Sequence, residues 1–266
     1  MSLTHLQAIA IAFVEGVTEF LPVSSTFHML QAASLMGLGQ NDFLKMFVVV
    51  VQSGAVASIF FVFRREVWFA NRLYSKVLLS TIPVLVAGFL LRDFVKNTLF
   101  ESREFTTFVF IGVGVVFLMV EWWIGKRAWS VRKNLVQLGY LDALLIGLAQ
   151  CLALIPGVSR SGAVLVAMLM FRYRRDEAAA YSLAMAIPVI FIAGAYDMLS
   201  GFRTLQLQYS LALDVLALGV FVSFLVGYLS AKWLVQYLKD HTLRVFGVYR
   251  IVVGIALLII TKFFGM

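Results

Sequence analysis

Charge is what this chain has least of. Only 14% of its 266 residues are Asp, Glu, Lys or Arg, 62% are hydrophobic and the mean hydropathy is +0.93. In a water-soluble domain about a quarter of the residues are charged, so that class is excluded. Cysteine is nearly absent. The single Cys151 lies in an apolar run, which rules out an intrachain disulfide, a thiolate metal site and a redox pair. Long polar stretches are missing too, leaving only short loops between apolar segments and no attached soluble domain. No Lys or Arg precedes the first apolar run, which itself carries Glu15 and Glu19, so no cleaved signal peptide is expected.

What remains is an integral membrane protein. A spanning helix needs about 20 apolar residues, and the apolar content supplies six to ten membrane segments on that basis. The net charge of +8 raises the question of nucleic acid, but the basic residues stand in small groups at the ends of apolar segments. That is how cytoplasmic membrane loops are charged, not a groove that follows a phosphate backbone, and no nucleic-acid partner is expected.

Two stretches break the apolar pattern. Residues 15–28 read EGVTEFLPVSSTFH, and residues 155–162 read IPGVSRSG. Their prolines, Pro22 and Pro156, lie 134 positions apart, half the chain length. Around each proline the apolar pieces, residues 6–23 with 26–38 and 140–155 with 163–171, are too short to cross a bilayer. Each pair reads as a re-entrant helical hairpin, tolerated at membrane depth where protein or water surrounds it. Full spans are expected over 44–63, 77–91, 105–124, 178–199, 211–229 and 245–264.

With residues 64–76 placed in the cytoplasm, 125–139, 172–177 and 232–244 fall on the same side, and these loops hold 14 of the 22 Lys and Arg. One hairpin and three spans per half is an odd count of crossings, so the second half enters from the opposite face. The expected architecture is therefore all-α and polytopic: a single membrane domain of two inverted repeats, about 1–133 and 134–266, with a site between the broken helices.

Glu15 and Glu19 are four residues apart and share a helix face, about 5–6 Å apart at Cβ. In a low dielectric both cannot stay ionised cheaply, so either one takes a proton or a cation sits between them. Oxygen ligands favour Mg²⁺ or Ca²⁺, which makes the pair a candidate metal site or a general acid and base. The plainer alternative is a watery vestibule. Ser24, Ser25 and Thr26 follow Pro22, and one of them is expected to cap the next helix. His28 is placed to share the face of Ser25 and take its proton. Ser159, Arg160, Ser161 and Gly162 open the second arm of the second hairpin. A helix N-terminus with a guanidinium suits phosphate oxygens, and the alternative is a structural pair of Arg160 with Glu15 or Glu19. Gln52 and Gln150 read as interhelical hydrogen-bonding groups, Glu121 and Asp142 as interfacial, and Arg250 as snorkelling to the cytoplasmic side. Trp68, Trp122, Trp123, Trp129 and Trp233 form an expected aromatic belt.

With EGVTEFLPVSSTFH at 15–28, VVVQSGA at 49–55, ALIPGVSRSGA at 153–163 and AIPVI at 186–190, the chain resembles the bacterial undecaprenyl-diphosphate phosphatases, or bacitracin-resistance proteins, over nearly its whole length. The resemblance implies an inner-membrane enzyme that removes the terminal phosphate of a C55 polyprenyl diphosphate and returns the lipid carrier to peptidoglycan synthesis. It implies roles for Glu15, Glu19, Ser25, His28 and Arg160, a divalent cation, a site open to the periplasm, paired re-entrant hairpins and a possible homodimer. The chain departs from the pattern at Phe27, Val48 and Val164, where Gly, Glu and Thr are usual. A polyprenyl-phosphate transporter or flippase is the rival reading, since inverted repeats with broken helices are a transporter feature.

Overall fold

The structure is a computed structural model in which residues 3–39, 42–62, 73–91, 103–126, 132–204 and 210–264 are described. The charged residues Arg64, Arg65, Arg72 and Arg127, and with them Trp68 and Trp129, lie outside those ranges.

The described residues form helices and no strand beyond one isolated bridge, between Lys133 and Tyr173. In chain order they are α1 (His5–Thr18), α2 (Ser25–Leu35), α3 (Asp42–Ala57), a single turn α4 (Ile59–Val62), α5 (Leu73–Leu90), α6 (Arg103–Lys126), α7 (Tyr140–Gln150), α8 (Arg160–Met170), α9 (Arg175–Thr204), α10 (Ser210–Asp240) and α11 (Arg244–Phe264). Among the described residues six segments are long and apolar enough to cross a membrane, Phe43–Val62 and segments of the five helices α5, α6, α9, α10 and α11. The chain is an all-α polytopic membrane protein.

Several expected spans come out longer. α10 runs 31 residues to Asp240, so Lys232 and Lys239 stand on its last turns, not in a loop. At 1.5 Å per residue such a helix is about 46 Å long and outreaches the roughly 30 Å hydrocarbon layer. The basic residues mark where it emerges, not where it stops. Trp122 and Trp233 are about half exposed, and the Lys126 ammonium lies 4.4 Å from the Trp122 ring centre.

The short helices show why the prolines matter. α1 starts with a capping box, in which the Thr4 hydroxyl accepts from the Gln7 amide at 3.3 Å while the Gln7 side chain accepts from the Thr4 amide at 3.0 Å. It stops before Pro22, which has no N–H to continue the ladder. α2 and α8 then begin and end alike. Each is 11 residues long, and each is preceded by a serine forced to positive φ, Ser24 at 66° and Ser159 at 77°. Each is closed by a second positive-φ residue, Gly37 at 70° and Arg172 at 71°. The closing bonds match as well, Leu38 amide to Ala33 carbonyl and Tyr173 amide to Met168 carbonyl, both 3.0 Å. These features, and the first residues of α1 and α7, are all separated by 135 positions. The prolines are separated by 134, so the second turn contains one residue more between Pro156 and its cap.

Packing follows the same exchange. α1 lies along α10 and α7 along α5, while α3 meets α9 and α10, and α9 meets α5. α6 lies along α11, and at their crossing a Cβ on Gly114 would stand 2.8 Å from the Gly247 carbonyl, and one on Gly247 2.9 Å from that of Gly114. Glu121 on α6 is buried, not interfacial. It takes both forks of Arg175 at the start of α9 and the Leu243 amide, locking three elements together.

Candidate active site

The tips of the two hairpins meet. Glu15 and Glu19 stay on one helical path, because the Glu19 amide continues the ladder to the Glu15 carbonyl at 2.8 Å. Glu15 is fully buried, and Glu19 nearly so. The two oxygens of Glu19 are shared between the tips: Oε2 accepts from the Ser25 hydroxyl at 2.6 Å, and Oε1 accepts from Arg160 Nη2 at 2.5 Å. Ser25 is the first residue of α2 and Arg160 the first of α8, so the opposing helix starts deliver a hydroxyl and a guanidinium to one carboxylate. The Ser161 hydroxyl adds a second tie between the tips, donating to the Leu21 carbonyl at 3.0 Å.

A cavity of about 240 Å³ opens beside this junction. Its lining combines polar residues, among them Glu19, Ser24, Ser25, Thr26, Ser159, Arg160 and Gln52, with apolar ones, among them Leu154, Ile155, Val189, Ile190 and Ala193. Ser161 and Gly162 do not line it. Ser161 is engaged with Leu21, and the Gly162 amide is capped by the Ser159 hydroxyl at 3.3 Å.

His28 is not brought to Ser25. Its Nδ1 bonds the Ser24 carbonyl at 2.9 Å and its Nε2 the Tyr249 hydroxyl at 2.8 Å, with the two rings stacked at 5.8 Å. Three residues along a helix do put side chains on one face, but a carboxylate is the stronger acceptor for a serine hydroxyl. Glu19 claims it, and His28 faces α11.

Three buried groups at the junction are left unmatched among the described residues. Neither oxygen of Glu15 has a hydrogen-bond partner, and Arg160 Nε has none. Burying polar groups so costs free energy unless something else satisfies them. The orphans are complementary, two acceptors suited to a cation and a donor suited to an anion. No cluster of three or more His, Cys, Asp or Glu occurs among the described residues, so a cation here would rest on the two glutamates alone. Mg²⁺ is commonly held that way, by one or two carboxylates with substrate phosphates and water completing the shell. The donor set therefore fits a divalent cation that arrives with a phosphate ligand. Gln150 is also fully buried, and neither end of its amide is matched, contrary to the interhelical bond expected of it.

Arg250 overturns its expectation. It does not snorkel but is fully buried, and among the described residues it forms no ion pair with a carboxylate. Its Nε donates to the Phe110 carbonyl at 3.0 Å, Nη1 to the Pro22 carbonyl at 3.0 Å and Nη2 to the Gly157 carbonyl. The ring of Phe110 lies 4.4 Å from the guanidinium carbon and that of Phe117 5.6 Å. Carbonyl partners leave no trace in a sequence, which is why only the lone charge in an apolar run was visible. Gln52 carried one signal, its place in VVVQSGA. Of the three departures from the family pattern, Val48 and Val164 are core residues, while Phe27 is buried, stacked on Phe110 at 4.3 Å, and lines the cavity.

Six long apolar helices among the described residues and two short hairpins, whose tips join a hydroxyl, a carboxylate and a guanidinium beside a cavity of mixed lining, define a multi-pass membrane protein with a buried charged site. The chain belongs to the bacitracin resistance protein BacA family, whose pattern matches residues 8–256. It is 38% identical over 262 residues to the undecaprenyl-diphosphatase of Flavobacterium johnsoniae, which covers 97% of this chain and 96% of that one. Similar proteins of the same name occur in Campylobacter fetus, 37% identical over 255 residues, and in Sulfurovum sp., 34% identical over 256 residues, each with 96% of this chain and 98% of the other covered.

Proposed function

We propose that this protein is an undecaprenyl-diphosphate phosphatase of the bacterial inner membrane, hydrolysing the phosphoanhydride of a C55 polyprenyl diphosphate to the monophosphate and inorganic phosphate at a site open to the periplasmic side. Full-length similarity to proteins named undecaprenyl-diphosphatase supports the reaction. The observation that carries the site is Glu19, bonded to the Ser25 hydroxyl on one side and to Arg160 on the other at the cavity edge.

Phosphoryl transfer rests mostly on positioning and charge stabilisation. Arg160, at the N-terminus of α8, holds the diphosphate oxygens, with its unmatched Nε among the donors. Glu19 Oε2 accepts the proton of the nucleophile as it attacks the terminal phosphorus and the bridging oxygen leaves with the lipid monophosphate: either Ser25 Oγ, forming a phosphoserine that water then hydrolyses to free phosphate and restore the serine, or a water in its place, which gives phosphate directly. Glu15 and Glu19 would hold a divalent cation, Mg²⁺ or Ca²⁺, which would supply neutralisation of the phosphate charge building up on the leaving group. The apolar residues lining the cavity give the first isoprene units a surface away from water.

The exchange of packing partners and the 135-residue spacing support an inverted repeat of two halves. That arrangement also favours the transporter reading. Purified protein in detergent, given a polyprenyl diphosphate with Mg²⁺ or Ca²⁺, is expected to release phosphate, and Arg160→Ala to abolish release while remaining monodisperse. Translocation of the lipid in sealed vesicles without any phosphate release would make the transporter reading the correct one.

A further inference from the structure

The two hairpin tips carry different halves of the candidate site, Glu19 and Ser25 on the first and Arg160 on the second. Of the direct ties between them, the 2.5 Å Glu19 to Arg160 bond uses the same arginine that, on the reading above, binds the diphosphate. An anion arriving at Arg160 competes with Glu19 for it. Ser161 to Leu21 is a single neutral bond. Something else must keep the tips in register when the ion pair is disturbed.

We propose that Arg250 is the positioning residue that holds the two tips together during turnover. Its guanidinium reaches the carbonyl of Pro22, three residues from both Glu19 and Ser25, and the carbonyl of Gly157, three residues from Arg160. The two acceptors are taken by the two terminal nitrogens of one rigid planar group, which sets their separation. The third donor anchors that group to Phe110 on α6, and the Phe110 and Phe117 rings stabilise its charge where no carboxylate does. Gly157 belongs to the same construction. Its backbone sits at φ 96°, and a Cβ there would stand 2.6 Å from the Thr106 carbonyl, so only glycine lets this tip approach α6. Tyr249, the preceding residue, secures His28 of the first hairpin. α11 thus fastens both hairpins without presenting a side chain to the cavity.

The inference rests on the proposed phosphatase reaction, and the test separates the two. Phosphate release from a polyprenyl diphosphate is measured on the full chain for wild type, Arg250→Lys and Arg250→Gln. Binding of inorganic diphosphate is measured by titration calorimetry on the same monodisperse preparations. Lysine keeps the charge but is a point donor that cannot span two carbonyls. Arg250→Lys is expected to lower kcat about 100-fold while KM and the affinity for inorganic diphosphate stay within about threefold, because the arginine tip itself is intact. Arg250→Gln, which leaves no buried charge behind, is judged by the same criteria should the lysine variant not fold. Wild-type kcat in a folded variant overturns the proposal, as does a parallel loss of kcat and diphosphate affinity, which marks general disorder. A wild-type enzyme that releases no phosphate refutes the reaction itself.

Discussion

The Ser25 hydroxyl donates a hydrogen bond to Glu19 at 2.6 Å, while its neighbour His28, three residues on, turns to Tyr249. A serine bonded directly to a carboxylate needs no imidazole between them, and this pairing decides how variants at the site behave.

Ser25 and Glu19 are expected to act as one unit and Ser25 and His28 as two. In double-mutant cycles built from Ser25→Ala, Glu19→Gln and His28→Gln, read as thermal stability, the Ser25 and Glu19 pair should show a coupling of about 1–3 kcal/mol. The Ser25 and His28 pair should be additive within about 0.5 kcal/mol. The reverse order would restore the histidine as the partner of the serine.

Glu19→Gln also strands Arg160. Removing one member of a buried ion pair costs about 3–5 kcal/mol, so the variant should unfold at a visibly lower temperature in detergent. Its phosphate release should fall at least about 100-fold, since donor and acceptor lose their common partner.

Glu121→Gln makes the contrast. It breaks a comparably buried pair with Arg175 and weakens the bond from the Leu243 amide, but lies in no wall of the cavity. A stability loss of the same order, about 3–5 kcal/mol, is expected with kcat per folded molecule unchanged. Calorimetry and activity on the same preparation separate the two.

The cation prediction concerns Glu15. Stripping divalent ions with a chelator should abolish phosphate release, and Mg²⁺ or Ca²⁺ should restore it. Glu15→Gln should raise the cation concentration needed for half-maximal rate by about tenfold or more, the range over which lost ligand contacts act. An unchanged cation requirement would exclude Glu15 as a ligand.

How much of this was legible depends on what each residue contacts. Pro22 and Pro156 announced the hairpins because proline ends a helix ladder in any context, and Arg160 drew attention because a charge in an apolar run demands a reason; the structure pairs it with Glu19. The half-length offset led to the paired architecture, although the prolines mark it one residue out of step with the serine caps. The helix ends at the membrane surface were misread, since α10 continues through Lys232 and Lys239 where the basic residues suggested a loop. Arg250 was misread, and Tyr249 not singled out at all, for a different reason. Their partners are backbone carbonyls and a ring nitrogen more than 90 residues away, and one-dimensional pattern carries no information about them. Likewise the choice of Ser25 between Glu19 and His28 is made by the turn between α1 and α2, not by helical spacing.

The fastening of both hairpin tips by α11 sets an order on the assembly of the protein. Glu15, Glu19, Ser25, His28 and Arg160 have all been synthesised when the chain reaches residue 160, yet the group that joins their carriers is ninety positions further on. Until α11 has been inserted beside α6, the two polar tips are tied only by the Glu19–Arg160 pair and the Ser161–Leu21 bond. The last clamp on the site comes from outside it, on a late helix, and a chain arrested short of residue 250 has the parts of the site without the group that bridges both tips.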